Sequence, residues 1–502
     1  MLTESVPGLL RRHVMVDPRL VEPPVPGHAD LPEKVLQFGT GVFLRGFTDA
    51  FIDDANRAGR FGGRVVVVGT TGSGRVEAIN DQNGLYTVCL RGYERGNLVE
   101  QFRIVSSVSR ALSSRESWSN VLDLARSPDI EFVVSNTTEV GIRFDAGDRL
   151  DLDPPRSFPG KLTSVLHARA VAFDHDPGAG VTVLCCELIE NNGSLLRDIV
   201  LRLADRWGLS SLFADWITSS CRFCNTLVDR IVTGPPPPAR RRELEALLGY
   251  RDPLLVEAEP YALWAIEGDD ALRRSLPVRT DDPAIIVTGD ITPFRERKVR
   301  ILNGAHSVMA PLSYLCGNDT VAESMADPHV SEFVREAILA EIVPSLDVDV
   351  EEASDFARQV LERFANPFVN HELVNIALHQ TTKMDVRVAP SIVSGFTKRG
   401  DLPRHLILGL AAFLVFTTRN QRAADVELPP DDRAETIRMH WAQRVDVAGF
   451  VRAVLRDPSV WSHPLAALQG LDAMLANYVE AILRDGARQT LEDFLYATNE
   501  QR

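Results

Sequence analysis

The stretch Glu33-Lys34-Val35-Leu36-Gln37-Phe38-Gly39-Thr40-Gly41-Val42-Phe43-Leu44-Arg45-Gly46 decides the fold. It reads as a short apolar strand, a glycine turn and the start of a helix that continues through Asp49, Ala50, Phe51 and Ile52. The glycines permit a tight turn and close approach to the backbone. The helix N-terminus then offers free N–H groups to a pyrophosphate. The third glycine of a full GxGxxG is replaced by Leu44, with Gly46 two residues on. An ordinary strand-to-helix turn would look the same. The position near the N-terminus, ahead of further strand and helix signals, favours the nucleotide reading. Its candidate residues are Phe38, Gly39, Gly41, Val42 and Phe43.

Working outward, Arg64 to Val68 is a second strand, four valines bounded by glycines. Glu131 to Asn136 follows a helical pattern at 116–126, Val181 to Cys186 is a fourth apolar run, and 283–290 looks like a last strand. Helical patterns alternate with these runs, which argues for βαβ units and a parallel sheet covered on both faces. Beyond about residue 291 strand signals fade. Segments 300–316, 329–342, 351–364, 371–383, 403–417, 447–455 and 470–496 have helical character. The expected fold is therefore α/β: a Rossmann-type parallel sheet domain over 1–290, then a mostly α-helical C-terminal domain over 291–502.

Composition bounds the function. The chain has 502 residues, 45% hydrophobic, and a net charge of −15. An acidic balance argues against general binding to nucleic acid or anionic membranes. No apolar run reaches membrane-span length and the N-terminus lacks a leader-like apolar core, so a cytoplasmic protein is expected. Six cysteines are sparse for this length and fit a reducing compartment. Cys221 and Cys224 form one CxxC without a partner pair, which reads as core on a helix rather than as a metal site.

The polar chemistry concentrates in Lys298-Val299-Arg300-Ile301-Leu302-Asn303-Gly304-Ala305-His306. A lysine serves as a base when burial or a nearby cation lowers its pKa. An Asn and a His can hold and polarise a carbonyl oxygen. On a plain α-helix Lys298 and Asn303 are about 140° apart and Lys298 and His306 about 80° apart. That helix aligns them only loosely, although Asn303 and His306 are neighbours. A solvated lysine beside two satisfied polar groups is the bland alternative.

Ser135-Asn136-Thr137-Thr138-Glu139 follows a strand and is placed to meet a nicotinamide or its ribose; a helix cap is the competing reading. No acid stands after the second strand, where one would grip the NAD ribose. Thr70, Thr71, Ser73 and Arg75 stand there instead, which leaves NADP open beside NAD. Glu187 to Gly193 supplies carboxylates and amides at the same sheet edge. Asn225 and Asp229 lie four apart on what reads as a helix, where Asp229 could simply pair with Arg230. Lys383 and Arg387 are also four apart, and an anionic ligand would offset their mild repulsion.

The order of four segments resembles the polyol-specific long-chain dehydrogenases, the mannitol dehydrogenase family. They are Gly39 to Arg45, Ser135 to Glu139, Asn225 to Val232 and Lys298 to His306. The resemblance runs from about residue 34 to beyond 480. It implies a Rossmann-type N-terminal domain, a helical C-terminal domain, catalysis between them, a nicotinamide cofactor and no metal. It implies Lys298 as general acid/base, Asn303 holding the reacting oxygen, and His306 holding that oxygen or a neighbouring hydroxyl. Asp229 would contact sugar hydroxyls or orient the lysine, Lys383 would bind substrate, and Asn136, Thr138 and Glu139 would line the cofactor. Much of the family has Cys-Asp-Asn-Leu-Pro-x-Asn-Gly where this chain has Cys186-Glu187-Leu188-Ile189-Glu190-Asn191-Asn192-Gly193. Leu188 thus replaces the family's oxyanion asparagine, leaving Asn192 as a stand-in or Asn303 with another partner. Asn375 stands where polyol enzymes have arginine. The expected substrate is a ketouronate interconverted with its aldonate, its carboxylate met by Lys383 and Arg387. Fructuronate or a neutral ketose as the substrate, and a non-catalytic dinucleotide sensor, are the alternatives. The family implies a monomer or homodimer.

Overall fold

The computed structural model describes residues 8–70, 72, 74–137, 141–418, 430, 431 and 433–499. The chain forms two compact units, Met1–Ile291 and Thr292–Arg502.

The first unit is built on six strands, β1 (Glu33–Phe38), β2 (Arg64–Gly69), β3 (Val108–Ser113), β4 (Phe132–Ser135), β5 (Thr182–Cys185) and β6 (Arg222–Cys224). They lie in the order β3-β2-β1-β4-β5-β6, and every neighbouring pair is parallel. This is the 3-2-1-4-5-6 arrangement of the doubly wound Rossmann sheet. Alternation along each strand feeds two cores, one per face. Val35, Val65, Val67 and Val134 join Phe47, Phe51 and Trp264 on one side. Leu36, Phe38, Val66, Val68 and Val133 join Trp118, Leu162, Leu196 and Phe213 on the other. The unbroken valine run of β2 is apolar because both of its faces are covered.

Three strand features depart from the sequence reading. Residues 226–229 are not helical: β7 (Thr226–Asp229) pairs antiparallel with β8 (Leu263–Glu267), which runs parallel to β9 (Ile285–Thr288). The CxxC likewise lies at the end of a helix and on β6, not within a helix. A long hairpin, Tyr86–Glu94 with Asn97–Val105, gave no clear signal in the sequence. Its two turn residues, Arg95 and Gly96, both have positive φ, 52° and 79°. That is the conformation two-residue hairpins require, here without the usual Asn-Gly.

The second unit is helical. Its central helix, Arg404–Thr418, is apolar almost throughout, and packs on the buried helix Gly304–Leu315. A Cβ on Gly409 would fall 2.4 Å from Val308, so glycine there permits the close approach. The Glu341 carboxylate closes the start of the long helix, accepting from the backbone N–H groups of His405 and Leu406, each at 2.9 Å. Among the described residues, three helical stretches are π-helical: Lys298–Asn303, Ala337–Ile342 and Met384–Val388. The expected helix over 371–383 is two short pieces parted by His379 at φ 50°. That over 470–496 is broken at Gly486, φ 84°. Among the described residues, no helix is long and apolar enough to cross a membrane.

Candidate active site

The strand order reverses between β1 and β4, and in such sheets ligands sit outside the carboxyl ends of the strands at that point. Gly39 ends β1 with φ +125°, and its N–H donates to the Val68 carbonyl at 3.0 Å. A Cβ there would lie 3.2 Å from Leu44 Cδ1 and 3.4 Å from the Asn136 carbonyl. Gly39 therefore brings the β1 turn against the end of β4. Gly41 caps helix Val42–Gly46 with no side-chain capping bond, and a Cβ on it would meet nothing within 4 Å. The buried Arg45 ties the turn down by donating to the Thr40 carbonyl at 2.8 Å. Such a cradle fits a pyrophosphate: bare backbone, open space and a helix start.

The side chains of the other turn residues face inward. The Phe38 ring is fully buried, 5.3 Å from the Phe158 ring, so this residue can meet a cofactor only through its backbone. Phe43 stacks on Phe47 at 4.8 Å, and Val42 lies against Gly234. These two can reach a ligand through their backbone. Asn136 lies at the end of β4 with its amide donating to the Cys186 carbonyl at 2.5 Å. Thr138 and Glu139 lie outside the described residues, as do Thr71 and Ser73.

Asn192 needs a correction. It is fully buried, and its amide NH2 donates to the carbonyls of Cys185 (3.0 Å), Glu187 (3.0 Å) and Thr226 (3.2 Å). Its Oδ1 accepts from the N–H groups of Gly193 (2.9 Å) and Thr226 (3.0 Å). An amide so engaged has no capacity left for substrate. Asn192 is a strut that joins β5, β7 and helix Asn192–Arg206. Gly193 beside it is required for a packing reason, since a Cβ would fall 2.4 Å from the Cys224 backbone. Leu188, at the family's oxyanion position, is 62% exposed.

Asp229 is buried at the end of β7. Arg230 reaches backbone carbonyls instead of a side-chain acid, donating to Glu259 at 2.9 Å and Gly46 at 3.0 Å. Asn225 bonds Glu267 (2.8 Å) and accepts from Ser194 N–H (2.9 Å).

In the second unit the geometry of residues 298–306 differs from the plain helix assumed from sequence. Lys298–Asn303 is one π-helical turn, in which each backbone bond closes over five residues. Residues five apart are then closer in angle than on a plain helix, so Asn303 lies nearer the face of Lys298 than the about 140° of an α-helix. Asn303 and His306 remain neighbours three apart. Lys298 and His306 are each 8% exposed, and Asn303 is half-buried. Gly304 meets another backbone: a Cβ would lie 3.2 Å from the Arg387 carbonyl.

The His306 ring stacks on Phe364 at 4.0 Å and meets the edge of His371 at 5.1 Å. Its Nε2 is buried without a hydrogen-bond partner. Burial holds the ring's pKa well below the ordinary histidine value, and the charges of His371, Arg363, Arg387 and Lys383 push it the same way. His306 is thus a neutral ring inside a ring of cations. Arg363 is buried, while Lys383 and Arg387 are half-buried; Lys383 Nζ donates to the Ile376 carbonyl at 2.8 Å. Asn375 is exposed and tied to Glu372 at 2.8 Å.

This grouping joins Lys383 and Arg387 to His306 and adds His371, Phe364 and Arg363. Sequence reasoning gave Arg363, His371 and Phe364 no role. Only their fold-back onto helix Gly304–Leu315 marks them.

The chain belongs to the mannitol dehydrogenase family: the model described as mannitol dehydrogenase Rossmann domain matches residues 33–279, and that of the mannitol dehydrogenase C-terminal domain residues 290–483. Among curated relatives it is similar to the altronate oxidoreductase of Cronobacter sakazakii, 40% identical over 467 residues, covering 92% of this chain and 96% of the relative. That of Bacillus subtilis is 39% identical over 478 residues, covering 95% and 98%. Two solved structures share the fold. Pseudomonas fluorescens mannitol 2-dehydrogenase, in a ternary complex with NAD and D-mannitol, has a TM-score of 0.73 at 22% identity, covering 97% of this chain and 99% of that one. A D-sorbitol dehydrogenase in substrate-free form has a TM-score of 0.78 at 20% identity, covering 96% and 100%.

Proposed function

We propose that this protein is an NAD-dependent, metal-independent oxidoreductase that interconverts D-tagaturonate and D-altronate. The observation that carries the reading is the C-terminal group: a buried lysine, an asparagine turned toward its face by one π-helical turn, and a neutral histidine with a free Nε2 among cations. The near-full-length similarity to altronate oxidoreductases supports the substrate.

The N-terminal unit would hold the dinucleotide. Gly39, Gly41 and the backbone of Val42 and Phe43 would take the pyrophosphate, with Asn136 and the following Thr138 and Glu139 near the nicotinamide end. When bound there, the cofactor supplies or accepts the hydride. The C-terminal unit would supply the proton chemistry and hold the sugar acid. In reduction the Lys298 ammonium protonates the developing alkoxide; in oxidation its amine takes the hydroxyl proton. Asn303 donates to the reacting oxygen. His306, kept neutral, offers Nε2 to that oxygen or to an adjacent hydroxyl. Asp229 would accept from sugar hydroxyls or orient the lysine. Lys383 and Arg387, with Arg363, would meet the carboxylate, where charge-assisted bonds are strongest.

The test is purified protein with NADH and NADPH in turn against tagaturonate, fructuronate and fructose, followed by absorbance. Preferred turnover of tagaturonate with NADH is expected. Preference for fructuronate or fructose would reject the substrate assignment, and NADH binding with no turnover would make the protein a dinucleotide sensor.

A further inference from the structure

Glu187 follows β5 and is only 2% exposed, an expensive place for a carboxylate unless its oxygens are bonded. Its carboxylate oxygens are bonded by the adjacent strand end. Oε1 accepts from the Thr137 N–H at 2.9 Å and from Thr137 Oγ1 at 3.2 Å, and Oε2 accepts from Ser135 Oγ at 3.2 Å. The next residue back, Cys186, accepts from the Asn136 amide. Ser135, Asn136 and Thr137 are thus all held by two consecutive residues of the β5 exit. Asn136 is in turn the residue whose carbonyl stands 3.4 Å from where a Cβ on Gly39 would be. A carboxylate that chains β5 to β4 to the β1 glycine turn sits under the switch-point crevice, though it does not itself line it.

We propose that Glu187 is a positioning residue for the dinucleotide: it fixes the Ser135–Thr137 segment against the Gly39 turn, so that the nicotinamide end is met by a preformed edge. This rests on the dinucleotide reading of the N-terminal unit. A held carboxylate removes the cost of ordering the segment when cofactor binds. Geometry is what matters here, since an amide can take the same place. The Gln oxygen would accept from Thr137, and its NH2 would donate to Ser135 Oγ, whose hydroxyl can turn to suit.

The test is fluorescence titration of NADH on wild type, Glu187→Ala, Glu187→Gln and Ser135→Ala, with thermal unfolding of the cofactor-free proteins and KM for cofactor and sugar acid measured separately. Glu187→Ala is expected to raise the NADH Kd tenfold or more while the sugar-acid KM changes less than about threefold. Glu187→Gln is expected to stay within about threefold of wild type in both. Ser135→Ala removes one donor from a fully buried side chain and is the milder variant if Glu187→Ala does not fold; it is expected to raise Kd about threefold. An unchanged Kd in Glu187→Ala, or in Ser135→Ala where the former does not fold, overturns the role. So does a Glu187→Gln as damaging as Glu187→Ala, or a parallel rise of both KM values with a lowered melting temperature. Wild type that binds no NADH would instead overturn the dinucleotide reading itself, and this proposal with it.

Discussion

Lys298 and Lys383 are both lysines in the C-terminal unit, yet their surroundings differ. Lys298 is 8% exposed within a π-helical turn. Lys383 is half-buried, anchored to the Ile376 carbonyl and part of the charge around His306. Lys298→Ala should lower kcat by about 10²-fold or more, the scale of acid–base catalysis, with NADH binding retained; turnover near wild type would reject its role. Lys383→Ala should raise KM for tagaturonate by tenfold or more, and for a neutral ketose far less, because only the uronate loses a charge-assisted bond. Equal effects on the two substrates in steady-state assays would remove the carboxylate role. The residue types at both positions were legible in the sequence. The surroundings of His306 were not, since His371, Phe364 and Arg363 are 57 to 65 positions away from it along the chain.

Among the elements, the helix–strand pattern of the first unit followed from apolar runs and glycines, but two elements obeyed tertiary demands over local ones. Thr226–Asp229 carries a spacing that suits a helix, and becomes a strand because β8 offers it a ladder and Asn192 takes its first N–H. Lys298–Asn303 carries the pattern of an ordinary helix and is wound as a π-turn. The extra backbone width is not encoded in a recognisable residue pattern, and it is this width that turns Asn303 toward the face of Lys298. Asn192 shows how far an element boundary depends on one side chain. Asn192→Ala would leave the buried N–H groups of Thr226 and Gly193 unpaired, at a cost on the order of 3 kcal/mol. Denaturant unfolding should show it as a lowered midpoint with little change in slope; a loss below about 1 kcal/mol would mean the amide is replaceable.

At the level of the whole molecule, stability should carry the mark of a buried acid beneath the nucleotide turn. Asp49 is fully buried, and burial raises its pKa to about 7 although Gln37, Arg45 and Tyr86 oppose the shift. A raised carboxyl contributes stability that is present below the ordinary carboxylate range and is lost as pH rises through the folded value. Between pH 5 and pH 8 that loss amounts to about 2–3 kcal/mol. Asp49→Asn should therefore gain in melting temperature relative to wild type at pH 8 and not at pH 5. Equal offsets at both pH values in calorimetry would show that the carboxyl does not titrate in that window.

By itself, the sequence determined the class of the fold, the position of the glycine turn and the gathering of Lys298, Asn303 and His306 in one short segment. Apolar periodicity, glycine stereochemistry and rare polar residue types are local properties, readable from a few neighbours along the chain. Only the tertiary structure decided that Asn192 is a strut, that Phe38 is core, that Glu187 binds the β4 exit and that cations collect around His306. Each of those depends on which distant backbone group or charge arrives beside the side chain, and burial makes such encounters obligatory once the strands and helices have packed.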